Sequence, residues 1–224
     1  MNKTLFVTGT GTDVGKTYVS ALILKKLVAL GESAGYYKAA MSGDKTDDFG
    51  NPVAEDAEYA KRISGIEQSV ESMCPYVFCK PCSPHLAAKS AGEQIDEETI
   101  MSGYGAVLSR YKYVVAEGSG GIVCPLRYDS QKLFLSDVIL KMNAPCVIVA
   151  NSGLGAINAV ALTAQYMRSL GIEIKGVIFN NYADDEICRD NAYMCEQITG
   201  LKILAKVRRG DTEISENVKD WFQR

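Results

Sequence analysis

A chain of 224 residues is long enough for one α/β domain with a single sizeable core and too short for two comfortable ones. With 47% hydrophobic and 23% charged residues and a mean hydropathy near zero, it reads as an ordinary soluble globule, neither disordered nor membrane-embedded. The formal charge of −3 gives no electrostatic reason to expect nucleic acid or an anionic membrane as a partner.

The chain opens Met1-Asn2-Lys3 and enters the apolar run Leu5-Phe6-Val7, which is too short for a signal-peptide core. No apolar stretch approaches the length of a membrane span. Seven cysteines, at 74, 79, 82, 124, 146, 188 and 195, are odd in number, and a domain of this size needs no disulfides. Reduced thiols and a cytoplasmic setting are the expectation.

Residues 4–8 read as a short strand running into a Gly/Thr loop. Residues 17–30 then carry helical spacing (Val19, Leu22, Ile23, Leu27, Leu30) that stops at Gly31. A second strand follows at 35–39, and helices at 54–64 and 96–110. Residues 113–116 form a buried strand ending at Glu117 and the turn Gly118-Ser119-Gly120-Gly121. Another strand at 146–150 precedes a helix at 157–170. A strand at 174–179, a polar helix at 185–198, a strand at 202–207 and a last helix near 213–222 complete the series.

The strands are near-continuous β-branched runs rather than alternating ones, as expected when both faces are covered. Alternation with helices then predicts a doubly wound, mostly parallel α/β sheet with helices on both faces. No repeat or linker divides it, so residues 1–224 are expected to form a single domain. Ligands in such sheets bind beyond the C-terminal strand ends. That directs attention to residues 9–17, 38–43, 117–121, 151–158 and 180–181.

The strongest motif is Gly9-Thr10-Gly11-Thr12-Asp13-Val14-Gly15-Lys16-Thr17, set between strand and helix. A Gly-rich turn lets backbone N–H groups converge on phosphate oxygens, and the helix N-terminus adds its dipole. Lys16 can reach β- and γ-phosphates, and the Thr17 hydroxyl is placed to ligate Mg²⁺. The first glycine sits one position earlier than the usual four-residue gap requires. The fold expectation thus becomes P-loop NTPase-like. There is no Asn-Lys-x-Asp guanine signature, which favours ATP.

Phosphoryl transfer needs a divalent cation, and Mg²⁺ prefers one or two carboxylates plus hydroxyl, water and phosphate oxygens. Glu117, at a strand end beside the flexible turn, and Asp56, at a helix start, are the candidates. Glu117 also suits a solvated strand end, and Asp56 also suits a first-turn carboxylate stabilising the helix dipole. Lys38, at the end of the second strand and close before Ser42 and Gly43, can project over the site to stabilise a transferring phosphoryl. It also suits a snorkelling surface lysine.

Together these segments resemble dethiobiotin synthetase from residue 4 to about residue 200. The motif 6–17 reproduces that family's longer glycine spacing. Gly35-Tyr36-Tyr37-Lys38 with Ser42-Gly43, Asp56-Ala57, Ser83-Pro84-His85, Glu117-Gly118-x-Gly120-Gly121 and Pro125-Leu126 follow in order. Leu154-Gly155-x-Ile157-Asn158 with Leu162-Thr163 and Gly176-Val177-x-x-Asn180 complete the match.

The resemblance implies a reaction. Carbon dioxide adds to an amine of 7,8-diaminopelargonic acid, and the carbamate takes the γ-phosphoryl of ATP. The second amine then closes the ureido ring. It implies Lys16, Lys38 and Thr12 as catalytic residues, and Thr17, Asp56 and Glu117 around Mg²⁺. Asp13, Val14, Gly15, Lys16, Thr17 and Tyr18 would cradle the nucleotide together with Gly118, Ser119, Gly120, Asn180 and Asn181, Asn180 reading the adenine edge. Ser42 would contact the diamine. The site would lie at a homodimer interface, with Leu154, Gly155 and Asn158 of one subunit taking the substrate's carboxylate tail in the other.

Two departures stand out. Ala39 replaces the family's usual proline after the lysine, and Arg208-Arg209 replaces a proline-containing loop near the adenine, which bears on nucleotide preference.

Other features carry less. Cys79-Lys80-Pro81-Cys82 with Cys74 and His85 has zinc-like spacing but no second pair, and no flanking βαβ context fits a redox motif. Met101, Met142, Met167 and Met194 read as core fillers. The acidic stretch 44–48 reads as a solvated loop. Trp221 and Phe222 read as anchors for the last helix, on the core or on a partner.

Two other functions remain open. A ParA/MinD-like ATPase switch would carry a lysine early in the loop, where this chain has Thr10 and Gly11, and its membrane-binding members end in a basic amphipathic helix. A related ATP-dependent ligase or amidase for another acid would alter Lys38, Ser42 and residues 154–158.

Overall fold

The computed structural model describes residues 3–43 and 45–223. Strand and helix alternate much as the periodicity predicts. β1 (Lys3–Gly9) leads into α1 (Lys16–Ala29), then β2 (Ala34–Lys38), the short β3 (Met41–Ser42), α2 (Glu55–Ser64) and β4 (Val77–Phe78). Next come α3 (Pro84–Ala91), α4 (Glu97–Arg110), β5 (Tyr113–Glu117), the hairpin β6 (Pro125–Tyr128) and β7 (Lys132–Phe134), and α5 (Leu135–Met142). β8 (Cys146–Asn151), α6 (Ala156–Ser169), β9 (Ile174–Asn180), α7 (Glu186–Thr199) and β10 (Ile203–Lys206) follow, and a 3₁₀ turn, Val218–Phe222, closes the series.

Six strands form one parallel sheet in the order β10-β9-β8-β1-β5-β2. β1 sits inside the sheet. The chain leaves it for β2 at one edge, whereas from β5 it crosses back over β1 to β8. Strands that send the chain in opposite directions leave a crevice beyond their C-terminal ends.

Alternation along the strands divides the core in two. Leu5, Val7, Val115, Val147, Val149 and Ile178 face the layer containing α1 and α2. Phe6, Ala116, Ile148 and Phe179 face the layer containing α4 to α7. Both faces are therefore apolar, which is why the strands read as continuous hydrophobic runs.

The sequence reading missed several short elements. Eight residues give too few turns for α3 and α5 to display a helical period. β3, β4, β6 and β7 are only two to four residues long. The expected helix near 213–222 shrinks to the 3₁₀ turn. Backbone carbonyls just before it are claimed by α1 side chains instead: Tyr18 donates to the Asp211 carbonyl, Lys25 to Thr212 (2.9 Å) and Lys26 to Ser215 (3.4 Å). Of the acidic stretch 44–48, Asp44 lies outside the described residues and the rest is exposed.

Trp221 and Phe222 anchor to the core rather than to solvent. Phe222 meets Tyr113 of β5 edge to face, with centroids 5.1 Å apart, and both residues join the cluster beneath α1. Trp221→Ala is expected to cost about 3–5 kcal/mol of stability through the cavity it leaves. Urea unfolding followed by circular dichroism measures it, and a loss under about 1 kcal/mol would mean the C-terminal turn is not part of the cooperative core.

Candidate functional site

Parallel register builds the site. Lys38, the last residue of β2, aligns with Glu117, the last of β5, and Glu117 with Val7 near the end of β1. Aligned residues of neighbouring strands project to the same face about 4.8 Å apart. The Lys38 ammonium accordingly lies 2.7 Å from Glu117 Oε1. The first turn of α2 brings in Asp56, whose Oδ2 is 2.5 Å from the same ammonium.

Thr17, in the first turn of α1, completes the cluster. Its hydroxyl lies 2.9 Å from Asp56 Oδ1 and 2.8 Å from Glu117 Oε1, positioned to donate to either. On the other side the Tyr36 hydroxyl donates to Glu117 Oε2 at 3.0 Å. Glu117 is thus no solvated strand end, and Lys38 does not snorkel: their side chains are 0% and 6% exposed, against 38% for Asp56.

Burial sets the electrostatics. Desolvation pulls the Lys38 ammonium toward neutrality, but Glu117 and Asp56 more than offset it and hold the group above the usual lysine value. Desolvation likewise opposes the charged form of Asp56, and Lys38 and Thr17 outweigh it, keeping the carboxyl below its usual range. For Lys16, burial and the like charge of Lys38 win, and its pKa falls below the ordinary value. Burial pushes the Tyr36 phenol well up, so it remains a neutral donor.

The phosphate loop closes around Gly15, the residue before α1. Gly15 has φ +89°, and a Cβ there would come within 1.9 Å of Asn180 Nδ2. Asn180, buried at the end of β9, donates instead to the Val14 carbonyl at 3.1 Å and so braces the loop from behind. Lys16 folds over the loop, its ammonium donating to the Gly11 carbonyl at 2.9 Å. No residue in the first turn of α1 is itself acidic, so the positive end of its dipole acts on the loop and on the two carboxylates at Thr17.

A cleft of about 870 Å³ opens over this floor. Of the residues singled out from sequence, it gathers Thr12, Asp13, Gly15, Lys16, Thr17, Lys38, Ser42, Asp56, Glu117, Ser119 and Gly120. The others lie off its wall. Val14 is buried beneath the loop, and Tyr18 is tied to the Asp211 carbonyl. Gly118 sits where a Cβ would meet Leu135 at 2.7 Å. Asn181 pairs with Asn151 across the ends of β9 and β8 at 2.9 Å. Leu154, 92% exposed, stands with Gly155 and Asn158 at the start of α6.

The opposite wall comes from two segments less legible in sequence. Pro81 to Pro84 line it, and the Cys82 carbonyl accepts the Ser42 hydroxyl at 2.6 Å. Val123, Cys124 and Pro125 follow the glycine turn; burial pushes the Cys124 thiol up to about 11, so it is no ready nucleophile. Tyr36 had a usable signal: in a strand, residues two apart share a face, which puts it beside Lys38.

Two carboxylates and one hydroxyl, all hard oxygen donors, suit a divalent cation that draws its other ligands from water and phosphate. Among the described residues no group of three or more His, Cys, Asp or Glu is placed to hold a metal, Cys74, Cys79, Cys82 and His85 included. Nor is any helix there long and apolar enough to cross a membrane.

Comparison with known proteins decides the family. A family model described as an AAA domain matches residues 3–212. An ATP-dependent dethiobiotin synthetase of Clostridium perfringens is 44% identical over 208 residues, 92% of this chain and 91% of its own. One from Brachyspira hyodysenteriae is 42% identical over 228 residues and covers both chains in full. The chain belongs to the dethiobiotin synthetase family. Solved structures share the fold alone: a ParA family ATPase from Chlorobium tepidum has a TM-score of 0.55 at 12% identity, over 92% of this chain and 84% of that one. The signal recognition particle 54 kDa protein of Aeropyrum pernix scores 0.57 at 15% identity, over 97% and 44%. The switch reading thus keeps its architecture but not the sequence relationship of this dethiobiotin synthetase family member.

The cluster has a thermodynamic consequence. Lys38→Met leaves two carboxylates facing each other without their cation, which costs on the order of 3 kcal/mol, the lower end because Asp56 is partly exposed. Chemical denaturation in the presence of EDTA checks this. Unchanged stability would mean that the ion pairs contribute nothing net.

Proposed function

We propose that this protein is a dethiobiotin synthetase: it uses ATP to close the ureido ring of dethiobiotin from 7,8-diaminopelargonic acid and carbon dioxide. The observation that carries the reading is the buried Lys38 ammonium held at the mouth of a phosphate loop by two carboxylates, in a chain whose curated relatives are synthetases of this kind.

An amine of the diamine adds to CO₂, giving a carbamate and a proton. A carbamate oxygen forms a bond to the γ-phosphorus as the bond to ADP breaks. The second amine then attacks the carbamate carbon, and phosphate leaves with the bridging oxygen. Lys38 and Lys16 would flank the anionic carbamate and the moving phosphoryl, and Thr12, on the cleft wall, would help orient them. Burial and the like charge of Lys38 lower the pKa of Lys16, whereas Glu117 and Asp56 raise that of Lys38, so Lys38 is the more firmly held cation of the two.

The dipole of α1 and the backbone from Asp13 to Thr17 would hold the phosphates, with Gly118 to Gly120 lying opposite. Thr17, Asp56 and Glu117 would hold Mg²⁺, which would supply positive charge for phosphoryl transfer. Ser42 would meet the diamine by exchanging its bond to Cys82. Asn180 commits its amide nitrogen to Val14, which leaves its carbonyl oxygen for the adenine amino group, with Asn181 beside it. Arg208 is already paired with Asp184 at 3.2 Å, so it need not enter the base site.

The whole chain would act as one domain and pair as a homodimer. The exposed Leu154, Gly155 and Asn158 at the start of α6 lie off the cleft wall, which suits a role in a partner's site. Seven free thiols suit the cytoplasm. A related ligase for another acid is less favoured, because Lys38 and Ser42 both face the cleft here.

ADP release with Mg·ATP and bicarbonate, with and without the diamine, tests the function, mass spectrometry reporting dethiobiotin. The expected outcome is diamine-dependent ADP release with matching product. Hydrolysis indifferent to the diamine would overturn the reading. Lys38→Met is expected to keep ATP binding within a few-fold while losing at least about 100-fold in kcat, since it removes transition-state stabilisation rather than the phosphate cradle.

A further inference from the structure

Tyr36 has no place in the reaction as described, yet it makes one of the most buried polar contacts near the site. Its side chain is 0% exposed, and its hydroxyl donates to Glu117 Oε2 at 3.0 Å. Glu117 Oε1, the other oxygen, is the one shared by Thr17 and Lys38. The two oxygens are therefore not equivalent: one faces the cleft, and the other is tied into the protein.

The tie is itself braced. Gln68, 1% exposed, accepts from the Tyr36 backbone N–H at 2.7 Å and donates to the Tyr36 carbonyl at 3.0 Å. A buried amide thus holds both backbone polar groups of this residue, and full burial of the ring in the cluster beneath α1 restrains the side chain that carries the hydroxyl. The neighbouring Tyr37 points to the opposite face and donates to the Ile100 carbonyl at 2.6 Å. The two tyrosines share a strand and a degree of burial but differ in what their hydroxyls restrain.

We propose that Tyr36 is a positioning residue that presents Glu117 to a divalent cation through a single oxygen, and so biases the site toward Mg²⁺ over Ca²⁺. The inference rests on the reading of Glu117 as a metal ligand. Mg²⁺ demands near-ideal octahedral geometry at short distances, whereas Ca²⁺ readily takes a carboxylate through both oxygens at longer ones. A carboxylate whose second oxygen is held by a fixed donor is restrained from the rotation that brings both oxygens to one cation, and one lone pair of that oxygen is already engaged. Outer partners of this type commonly change metal affinity about 10–100-fold when removed.

The test is calorimetric titration of MgCl₂, and separately CaCl₂, into protein saturated with ADP. It compares the wild type with Tyr36→Phe, with Tyr37→Phe as a control for loss of a buried hydroxyl elsewhere. Tyr36→Phe is expected to weaken Mg²⁺ binding about tenfold and Ca²⁺ binding less, narrowing the ratio, while metal-free ADP affinity stays unchanged. Tyr37→Phe is expected to lower thermal stability by a similar amount and leave the ratio alone. Site-specific 4-aminophenylalanine at position 36, which fills the same space and restores a donor, should return the ratio to the wild-type value. This comparison, against 4-methylphenylalanine, also serves if Tyr36→Phe folds poorly.

An unchanged Mg²⁺/Ca²⁺ ratio in the variants without a donor would overturn the proposal. Glu117→Gln separates the two levels of the argument. If it binds both metals as the wild type does, the reading of Glu117 as a ligand fails. If it loses Mg²⁺ while Tyr36→Phe keeps the wild-type ratio, only the role of Tyr36 fails.

Discussion

Lys38, Asp56 and Glu117 bring two carboxylates and one ammonium together at the floor of the cleft, Lys38 and Glu117 buried and Asp56 partly exposed, and the neighbouring structure answers to that arrangement. Removing charges from water is costly, and a buried pair is tolerated only where geometry and further hydrogen bonds satisfy both partners. Here each partner is satisfied: the ammonium by two carboxylates, and the carboxylates by Thr17 and Tyr36 as well. The cluster still carries an excess of negative charge. On the proposed reading a divalent cation supplies the balance and releases the ammonium toward the substrate.

What places these groups is the sheet. Parallel pairing fixes Lys38 beside Glu117 because β2 and β5 end in register, and the crevice beside β1 leaves room for the phosphate loop. The loop is then held from two sides, by the left-handed backbone of Gly15 and by the side chain of Asn180 from β9. A residue with any side chain at Gly15 would collide with that brace. Backbone conformation, strand register and charge compensation are therefore one constraint expressed at three levels.

The sequence carried the long elements and the loop clearly, because their signals are local. β1, α1, β5, β8, α6, β9 and α7 all fall within a few residues of the ranges read from periodicity. Asp56 and Glu117 were legible only as candidates, since a carboxylate at a helix start or strand end has ordinary uses. It took α2 packed against α1 to bring Asp56 to the same ammonium as Glu117. Ser83-Pro84 and Pro125 were legible as motif pieces, but that they, Pro81, Cys82 and Cys124 form one wall depends on where loops fold back, which no local pattern encodes. The C-terminal segment was misread because Tyr18, Lys25 and Lys26 bind its carbonyls, a tertiary competition that outweighs its helical pattern.

In the proposed reaction the oxygen that attacks the γ-phosphorus belongs to a carbamate. The most direct measurement is a single turnover with ¹⁸O-labelled bicarbonate, the diamine and Mg·ATP, followed by mass analysis of the phosphate released. The account predicts one labelled oxygen transferred to each phosphate, because ring closure breaks the carbon–oxygen bond and leaves that oxygen on phosphorus. Phosphate carrying no bicarbonate-derived oxygen would contradict it and would mean that this site hydrolyses ATP rather than activating a carbamate.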